Sequence, residues 1–281
     1  MNKNIFLNLF LIFGLFVSCG DEETSITAMT YNIRYDSLHD GDNIWENRKQ
    51  GLITLLKSHH PDIIGTQEGL KHQLDYIKSE LTDYKMIGID RDNNGNGEYS
   101  SIFYNTSNLN LLENKTFWLS ETPETPSKGW DAALNRICTY ALFESKVSSE
   151  KFFVFNTHFD HLGEKARTNS AILIGQKITE INHNNLPVIL MGDFNCEPNS
   201  KPIEELKKSL KDGLLISPTE LQGPTGTFSG FDINAPLDRR IDYIFVNGLE
   251  VKKYAHIDSK IDNGNWPSDH LPIFIKLQFP M

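Results

Sequence analysis

From Thr27 onward, short apolar segments alternate with segments whose apolar residues recur at helical spacing, almost to the end of the chain. This alternation favours an α/β fold in which helices cover β-sheets. Helices are expected over residues 45–58, 72–81 and 166–181. Strands are expected over residues 27–31, 62–65, 101–104, 137–143, 152–156, 187–191, 241–246 and 271–277. Neither a repeat nor a linker interrupts the pattern, so residues 27–281 are interpreted as one domain.

The beginning of the chain has the composition of a targeting segment. Lys3 supplies a positive charge, and residues 5–17 are apolar with one exception. This run is shorter than the roughly 20 residues of a membrane span and predicts a signal peptide over residues 1–18. Cys19 follows Phe-Val-Ser, which resembles a bacterial lipobox with Phe in place of Leu. We therefore expect a lipidated Cys19, a tether over residues 19–26, and an exported, membrane-anchored lipoprotein on the periplasmic face or cell surface. A plain secretory signal is the alternative.

The other two cysteines are Cys138 and Cys196. Two thiols do not make a disulfide framework, and the sequence has no CxxC pattern for zinc. Both thiols are therefore expected to be packed in the interior.

The net charge of −10 bears on the class of partner. Phosphate contacts dominate the affinity of nucleic-acid binders, so these proteins usually carry a basic surface. A local cleft can still be basic on an acidic protein, and a nuclease is not excluded. The charge balance favours small phosphorylated substrates over long DNA.

Polar residues of catalytic types follow or precede five of the expected strands. They are Asn32, Glu68, His158, the pair Asp193 and Asn195, and the pair Asp269 and His270. Because strand ends at one edge of packed sheets converge, these side chains are expected to surround one cleft. Carboxylate oxygens suit a hard cation, so Mg²⁺ is the expected cofactor, with Mn²⁺ as the alternative. Such a cation beside an Asp–His pair favours water attack on a phosphate ester.

Seven motifs carry a resemblance to a known family. In chain order they are TYNIR (30–34), TQE (66–68), GEYSSIFY (97–104), NTHFDH (156–161), GDFN (192–195), RRIDYIFV (239–246) and SDH (268–270). Together they resemble the endonuclease/exonuclease/phosphatase superfamily, which includes DNase I, over residues 27–278. The chain looks nearest to secreted bacterial relatives of the nocturnin branch. The resemblance implies a four-layer α/β sandwich, in which two packed mixed β-sheets are flanked by helices.

The resemblance also implies roles for the residues that match its motifs. Glu68 would hold the metal ion, and Asp269 would be a further metal ligand. Asp193 would activate the attacking water, which Asn195 would position. Asn32 would contact the phosphate or a metal-bound water.

Two histidines have roles that the resemblance leaves open. His158 would bind the phosphate or protonate the leaving group, and Glu98 would orient it. His270 would contact the phosphate or act as the base, supported by Asp242.

Two arginines are expected to contact the substrate. Arg34 stands where abasic-site endonucleases carry an Asp near the metal. Because this Asp is missing, the resemblance favours cleavage at abasic sites less than the other activities of the family. The NIR triplet is instead similar to DNase I, in which the Arg faces the substrate. Arg136 falls where DNase I-like proteins place an arginine that contacts phosphate.

The expected function is metal-dependent hydrolysis of a phosphate ester by a phosphodiesterase, nuclease or phosphatase. The phosphorylated partner would be a nucleotide, nucleic acid, lipid or sugar phosphate, and the protein is expected to be a monomer. One alternative is a sphingomyelinase-like lipid phosphodiesterase, in which Trp118 would serve as the exposed aromatic residue that reaches membranes. Another is a non-catalytic surface binding protein that retained the fold.

Overall fold

A computed structural model describes residues 25–262 and 264–280. Numbered along the chain, its strands are β1 (Ser25–Asn32), β2 (Ile63–Gln67), β3 (Tyr84–Ile87), β4 (Ile102–Asn105), β5 (Leu109–Trp118), β6 (Ile137–Ser145), β7 (Lys151–His158), β8 (Val188–Asp193), β9 (Lys211–Asp212), β10 (Asp242–Asn247), β11 (Glu250–His256) and β12 (Ile273–Gln278). Its helices are α1 (Trp45–His59), α2 (Lys71–Glu80), α3 (Glu164–Ile181) and α4 (Lys201–Leu206), with a short 3-10 segment at Leu38–Asn43.

The strands form two six-stranded sheets that pack face to face. The first sheet has the order β11-β12-β1-β2-β4-β3, and the second has the order β5-β6-β7-β8-β10-β9. Each sheet is mixed, because β1 runs parallel to β2 and β7 runs parallel to β8 while the other pairs are antiparallel. The main apolar core lies between the sheets and takes side chains from both.

Helices cover the outer face of each sheet. Residues of α1 and α2 share an apolar cluster with the first sheet, and residues of α3 and α4 share another with the second. Central strands are therefore buried on both faces: along β7, Phe152 faces the inner core and Phe153 faces the helices. This double burial explains why these strands are continuous apolar runs in the sequence. The expected four-layer α/β sandwich is confirmed.

Several elements at the edges were not predicted. These are β3, β5, β9, β11 and α4. In β5 the middle of the strand is exposed and polar, so its sequence lacks a strand pattern. In β11 the exposed positions are Glu250, Lys252 and Lys253. His256, which ends β11, is buried, and burial lowers its pKa to about 4.

The registers of neighbouring strands align the polar strand ends. His158 pairs with Asp193 across β7 and β8, and Asp193 pairs with Asp242 across β8 and β10. Gly192 permits this alignment, because its φ is 151° and a Cβ atom there would lie 2.0 Å from the Thr157 carbonyl oxygen. Three chemically active side chains of one sheet thereby lie next to one another.

A buried amide pair joins the two sheets beneath these strand ends. Gln67 of the first sheet donates from Nε2 to Oδ1 of Asn156 in the second sheet at 2.7 Å. Asn156 donates in turn to the carbonyl oxygens of Thr66 and Ser101, each at 2.9 Å. Because every bond in this pair is buried, it fixes the position of one sheet edge relative to the other.

The expected signal peptide, Cys19 and most of the tether lie outside the described residues, although β1 begins at Ser25, inside the range expected for the tether. Within the part of the chain that the structure describes, no helix is both long enough and apolar enough to cross a membrane. Cys138 and Cys196 are free and buried, as expected.

Candidate active site

The polar strand ends of both sheets meet in one buried cluster. Asn32, at the end of β1, donates from Nδ2 to Glu68 Oε1 at 3.0 Å and to Asp193 Oδ2 at 2.9 Å. Nε2 of His270 lies 3.4 Å from the same amide nitrogen and 3.7 Å from Asp193 Oδ2. Residues separated by up to 238 positions in sequence therefore share one centre, as the strand ends predicted.

His270 is paired with a carboxylate. Its Nδ1 lies 2.9 Å from Asp242 Oδ2, which also accepts a hydrogen bond from Thr227 Oγ1 at 2.6 Å. Burial opposes the charged imidazole, but the carboxylates of Asp242 and Asp193 outweigh it and raise the pKa of His270 well above its ordinary value. His270 therefore presents a positively charged donor to the centre.

Asp193 is a buried carboxylate of the centre. Burial and the nearby charge of Asp242 raise its pKa to about 7. Its Oδ1 accepts a hydrogen bond from the backbone nitrogen of Asn195 at 2.9 Å. A carboxylate with a pKa near neutrality can accept a proton from water and later release it.

His158 lies beside a positively charged group, whereas His270 lies beside carboxylates. Arg136 Nη1 lies 3.0 Å from its Nδ1, and Asn195 Nδ2 lies 3.1 Å from its Nε2. Burial and the charge of Arg136 lower the pKa of His158 well below its ordinary value. His158 is thus a neutral imidazole.

Glu68, Asp269 and Asp193 bring hard oxygen donors to the same region. Nη1 of Arg34 lies 3.9 Å from Glu68 Oε2 and 3.9 Å from Asp269 Oδ2, so the guanidinium of Arg34 lies near both carboxylates. Glu68, His158 and Asp193 each offer an atom within 4.8 Å of the others. The carboxylate oxygens of Glu68 and Asp193 in this group fit a divalent cation that prefers oxygen ligands. Glu68 would hold such a cation, and Asp269, which lies near the same Arg34 nitrogen, would be a further ligand.

A buried arginine holds the loop that follows β1. Arg48 of α1 donates to the carbonyl oxygens of Ile33 at 2.5 Å and Arg34 at 2.6 Å. It also reaches the carbonyl oxygen of Pro267 at 3.2 Å, just before Asp269. Arg48 therefore ties the loop after β1 and the loop before Asp269 to α1.

Three residues of the centre have left-handed backbones although none is glycine. The φ angles are 55° at Arg34, 62° at Glu68 and 47° at Asn195. Such angles cost free energy in residues with a Cβ atom and cluster at functional sites. In each case the unusual angle occurs where the chain leaves a strand and turns a side chain toward the cleft.

The cluster opens into a cleft of about 560 Å³. Its walls include four arginines, Arg34, Arg91, Arg136 and Arg239. Four carboxylates balance them, namely Glu68, Glu98, Asp193 and Asp269. A bound divalent cation would make the cleft positive despite the acidic chain as a whole, which suits a phosphorylated ligand of small-molecule size.

Two expected contacts differ in the structure. Glu98 does not orient His158: its carboxylate accepts a hydrogen bond from Arg91 at 2.7 Å, and burial raises its pKa. Arg136 lines the cleft as expected, but its guanidinium contacts His158, His161 and Asp160. Nδ1 of His158 therefore faces an arginine and not Glu98.

The sequence reasoning missed several residues that line the cleft. They are Tyr35, Arg91, Phe228 and Arg239. Arg239 opens the RRIDYIFV motif and was available as a signal, whereas Arg91 and Phe228 lie in loops without a pattern. Phe228 packs edge-on against the His270 ring at 5.0 Å.

Comparison with known proteins agrees with this geometry. Residues 29–270 match the model of the Endonuclease/Exonuclease/phosphatase family. An uncharacterized protein of Acanthamoeba polyphaga mimivirus is 31% identical over 82% of this chain and 91% of its own length.

Two solved structures illustrate the similarity in fold. A mannosyl-6-phosphatase of Bacteroides thetaiotaomicron is 38% identical, with a TM-score of 0.87 over 90% of this chain and all of that one. The catalytic domain of human nocturnin is 22% identical, with a TM-score of 0.73 over 92% of this chain and 94% of that one, which supports the fold alone. The chain therefore belongs to the endonuclease/exonuclease/phosphatase family.

Proposed function

We propose that this protein is a metal-dependent hydrolase whose cleft cleaves phosphate monoesters of small molecules, with phosphorylated sugars as the first substrate class. The observation that carries the proposal is the single centre formed by Asn32, Glu68, Asp193 and His270, whose side chains lie 2.9–3.7 Å from Asn32 or Asp193. Family membership supports phosphate-ester hydrolysis.

In the proposed reaction the oxygen of water bonds to phosphorus, the bond from phosphorus to the substrate oxygen breaks, and the proton ends on the released alcohol. Asp193 accepts the proton from the water, since its pKa of about 7 makes it a suitable base. The charged imidazole of His270 donates a hydrogen bond to the phosphate. When bound by Glu68 and Asp269, Mg²⁺ would offset the negative charge of the phosphate.

The substrate class rests on three features. The acidic chain disfavours a long polyanion, and the cleft of about 560 Å³ suits a small ligand. A relative 38% identical, matched over all of its length, is a mannosyl-6-phosphatase. The lipid alternative has less support, because Trp118 is buried and donates from its indole nitrogen to the Arg91 carbonyl oxygen at 2.7 Å.

We also propose that the enzyme is an exported, monomeric lipoprotein anchored through Cys19. The support is the apolar segment and the lipobox-like residues before Cys19. Metabolic labelling with a palmitate analogue tests the anchor: label is expected in the wild-type protein and absent from Cys19→Ser. Labelling that persists in Cys19→Ser contradicts the anchor.

The test of the function is phosphate release from a panel of substrates with and without Mg²⁺. The panel contains mannose 6-phosphate, another hexose phosphate, bis-p-nitrophenyl phosphate, an oligonucleotide and sphingomyelin. We expect Mg²⁺-dependent turnover of the hexose phosphates, lost in EDTA and in Glu68→Gln. The matched control is Glu150→Gln, on an exposed turn at the opposite end of β7.

Each outcome of this panel has a defined meaning. Turnover confined to the diester, the oligonucleotide or sphingomyelin overturns the monoester class. Binding of mannose 6-phosphate without turnover, unaffected by Glu68→Gln, favours a non-catalytic binding protein.

A further inference from the structure

Arg136 makes contacts in the cleft that the proposed reaction does not use. This side chain is buried, and each of its nitrogen atoms faces a different residue. Nε lies 3.3 Å from Asp160 Oδ2, Nη1 lies 3.0 Å from His158 Nδ1, and Nη2 lies 3.0 Å from His161 Nδ1. His158 and His161 both line the cleft. One guanidinium therefore contacts the Nδ1 atoms of two imidazoles that line the cleft.

The chemistry of arginine fixes the direction of these hydrogen bonds. A guanidinium has five N–H donors and no acceptor. An imidazole nitrogen that bonds to it must therefore be the acceptor, without a hydrogen of its own. In both histidines that nitrogen is Nδ1, so the hydrogen of the neutral ring belongs on Nε2.

His158 faces a second donor, which the assignment must accommodate. Asn195 Nδ2 lies 3.1 Å from His158 Nε2 and also donates to the Phe159 carbonyl oxygen at 3.0 Å. Only one of the two donors can bond to a neutral imidazole. The charged guanidinium makes the stronger hydrogen bond and holds Nδ1 as the acceptor, so the hydrogen is on Nε2, from which Asp193 Oδ2 lies 3.5 Å away without a hydrogen bond.

Asp160 holds the guanidinium in place. Its carboxylate is buried and accepts hydrogen bonds from the backbone nitrogens of Ala133, Leu162 and Gly163 at 2.8–3.1 Å. These bonds anchor Asp160 to the backbone, and Asp160 in turn meets Nε of Arg136. The orientation of Arg136 is therefore set by the protein before any ligand arrives.

We propose that Arg136 is a positioning residue that fixes His158 and His161 in the tautomer with hydrogen on Nε2, so that both imidazoles donate a hydrogen bond to the bound phosphate ester. His158 is then a neutral hydrogen-bond donor, neither a metal ligand through Nε2 nor a proton donor in its charged form. His161 becomes a substrate-binding residue. The hydrogen bonds to the phosphate ester rest on the proposed function. The assignment of the two tautomers does not depend on that function.

The direct test is long-range ¹H–¹⁵N NMR of wild-type protein labelled with ¹⁵N-histidine, with signals assigned through His158→Asn and His161→Asn. This experiment reports which ring nitrogen carries hydrogen and requires no turnover. The proposal expects hydrogen on Nε2 and a bare Nδ1 in both rings. Hydrogen on Nδ1 of either ring in the wild-type protein overturns it.

Substitution of Arg136 tests the positioning role. In Arg136→Met the two tautomers should no longer be fixed, and kcat/KM for the best substrate should fall roughly 10-fold or more. Arg136→Lys, which keeps one charged donor, should restore part of the activity. The matched control is Arg240→Met, which removes another buried arginine that pairs with Asp212 at 2.6 Å and should leave kcat unchanged.

His161→Ala separates substrate binding from chemistry. It should raise KM roughly 10-fold with little change in kcat, because it removes one hydrogen bond to a charged ligand. An unchanged KM overturns the substrate-binding role of His161. A wild-type protein with the expected tautomers but no turnover on any substrate contradicts the proposed function and leaves the tautomers established.

Discussion

Replacing Asp242 by Asn removes the negative charge that accompanies His270. Asp242 Oδ2 lies 2.9 Å from His270 Nδ1, and both side chains are buried. Burial opposes the charged imidazole, and the carboxylates of Asp242 and Asp193 overcome that effect. Because Asn has nearly the same shape, Asp242→Asn changes the charge with little change in packing. It therefore tests whether the charge on His270 supports catalysis.

The expected loss of activity follows from this contact. A hydrogen bond to a charged group contributes about 1.5–3 kcal/mol, and each 1.4 kcal/mol corresponds to about tenfold in rate. The contact alone therefore predicts a fall in kcat/KM of about 10- to 150-fold. If the new amide donates to Nδ1, the imidazole takes the wrong tautomer, a change that costs roughly 10⁴-fold in serine-protease triads.

The same substitution changes how stability depends on pH. The folded pKa of His270 lies above its unfolded value, so its contribution to stability is complete below about pH 6.5. That contribution is lost as the pH rises through the folded pKa. The difference in unfolding free energy between wild type and Asp242→Asn should therefore be largest in acid and smaller in alkali.

Steady-state kinetics and urea denaturation of purified Asp242→Asn measure both effects. The matched control is Asp212→Asn on the edge strand β9, which removes the charge of another buried aspartate, paired with Arg240. The control should lose stability and keep kcat. If Asp242→Asn folds and keeps the wild-type kcat/KM, the role assigned to the Asp242–His270 pair is wrong.

Three further outcomes are expected. First, kcat should rise with pH through about 7, because burial raises the pKa of Asp193 to about 7 and only its ionised form accepts a proton; a flat pH–rate profile contradicts this. Second, Arg48→Met should lower the unfolding free energy by about 3 kcal/mol, since the carbonyl oxygens of Ile33, Asn43 and Pro267 each lose a charged donor; unchanged urea denaturation contradicts this. Third, Gly192→Ala should lower the melting temperature and activity, because its Cβ would meet a carbonyl oxygen at 2.0 Å, whereas Gly175→Ala, with open space, should not.

The sequence predicted the central part of the fold better than its edges. Strands buried on both faces, such as β7 and β8, are continuous apolar runs and were found within two residues of their observed ends. Edge strand β5 is exposed along its middle, and so its alternation of polar and apolar residues is lost. Edge strand β11 was missed for the same reason, since three of its positions are exposed and charged.

The sequence likewise predicted one part of the candidate site and missed another. The residues at strand ends were predicted, because strand ends converge wherever two sheets pack together. Their partners were not predictable, since a contact such as Arg136 with His161 depends on side-chain direction, which the sequence pattern does not encode. The partner of Asp242 was expected from the motifs, and the structure places His270 there.

Hydrolysis of the best substrate in water enriched in oxygen-18 tests most directly whether water attacks phosphorus in this cleft. Mass spectrometry of both products after turnover, with Glu68→Gln as the inactive control, locates the label. Water attack at phosphorus predicts that the heavy oxygen is found in the released phosphate and is absent from the alcohol. Label in the alcohol would contradict the mechanism, and turnover that persists in Glu68→Gln would contradict the role assigned to the carboxylate cluster.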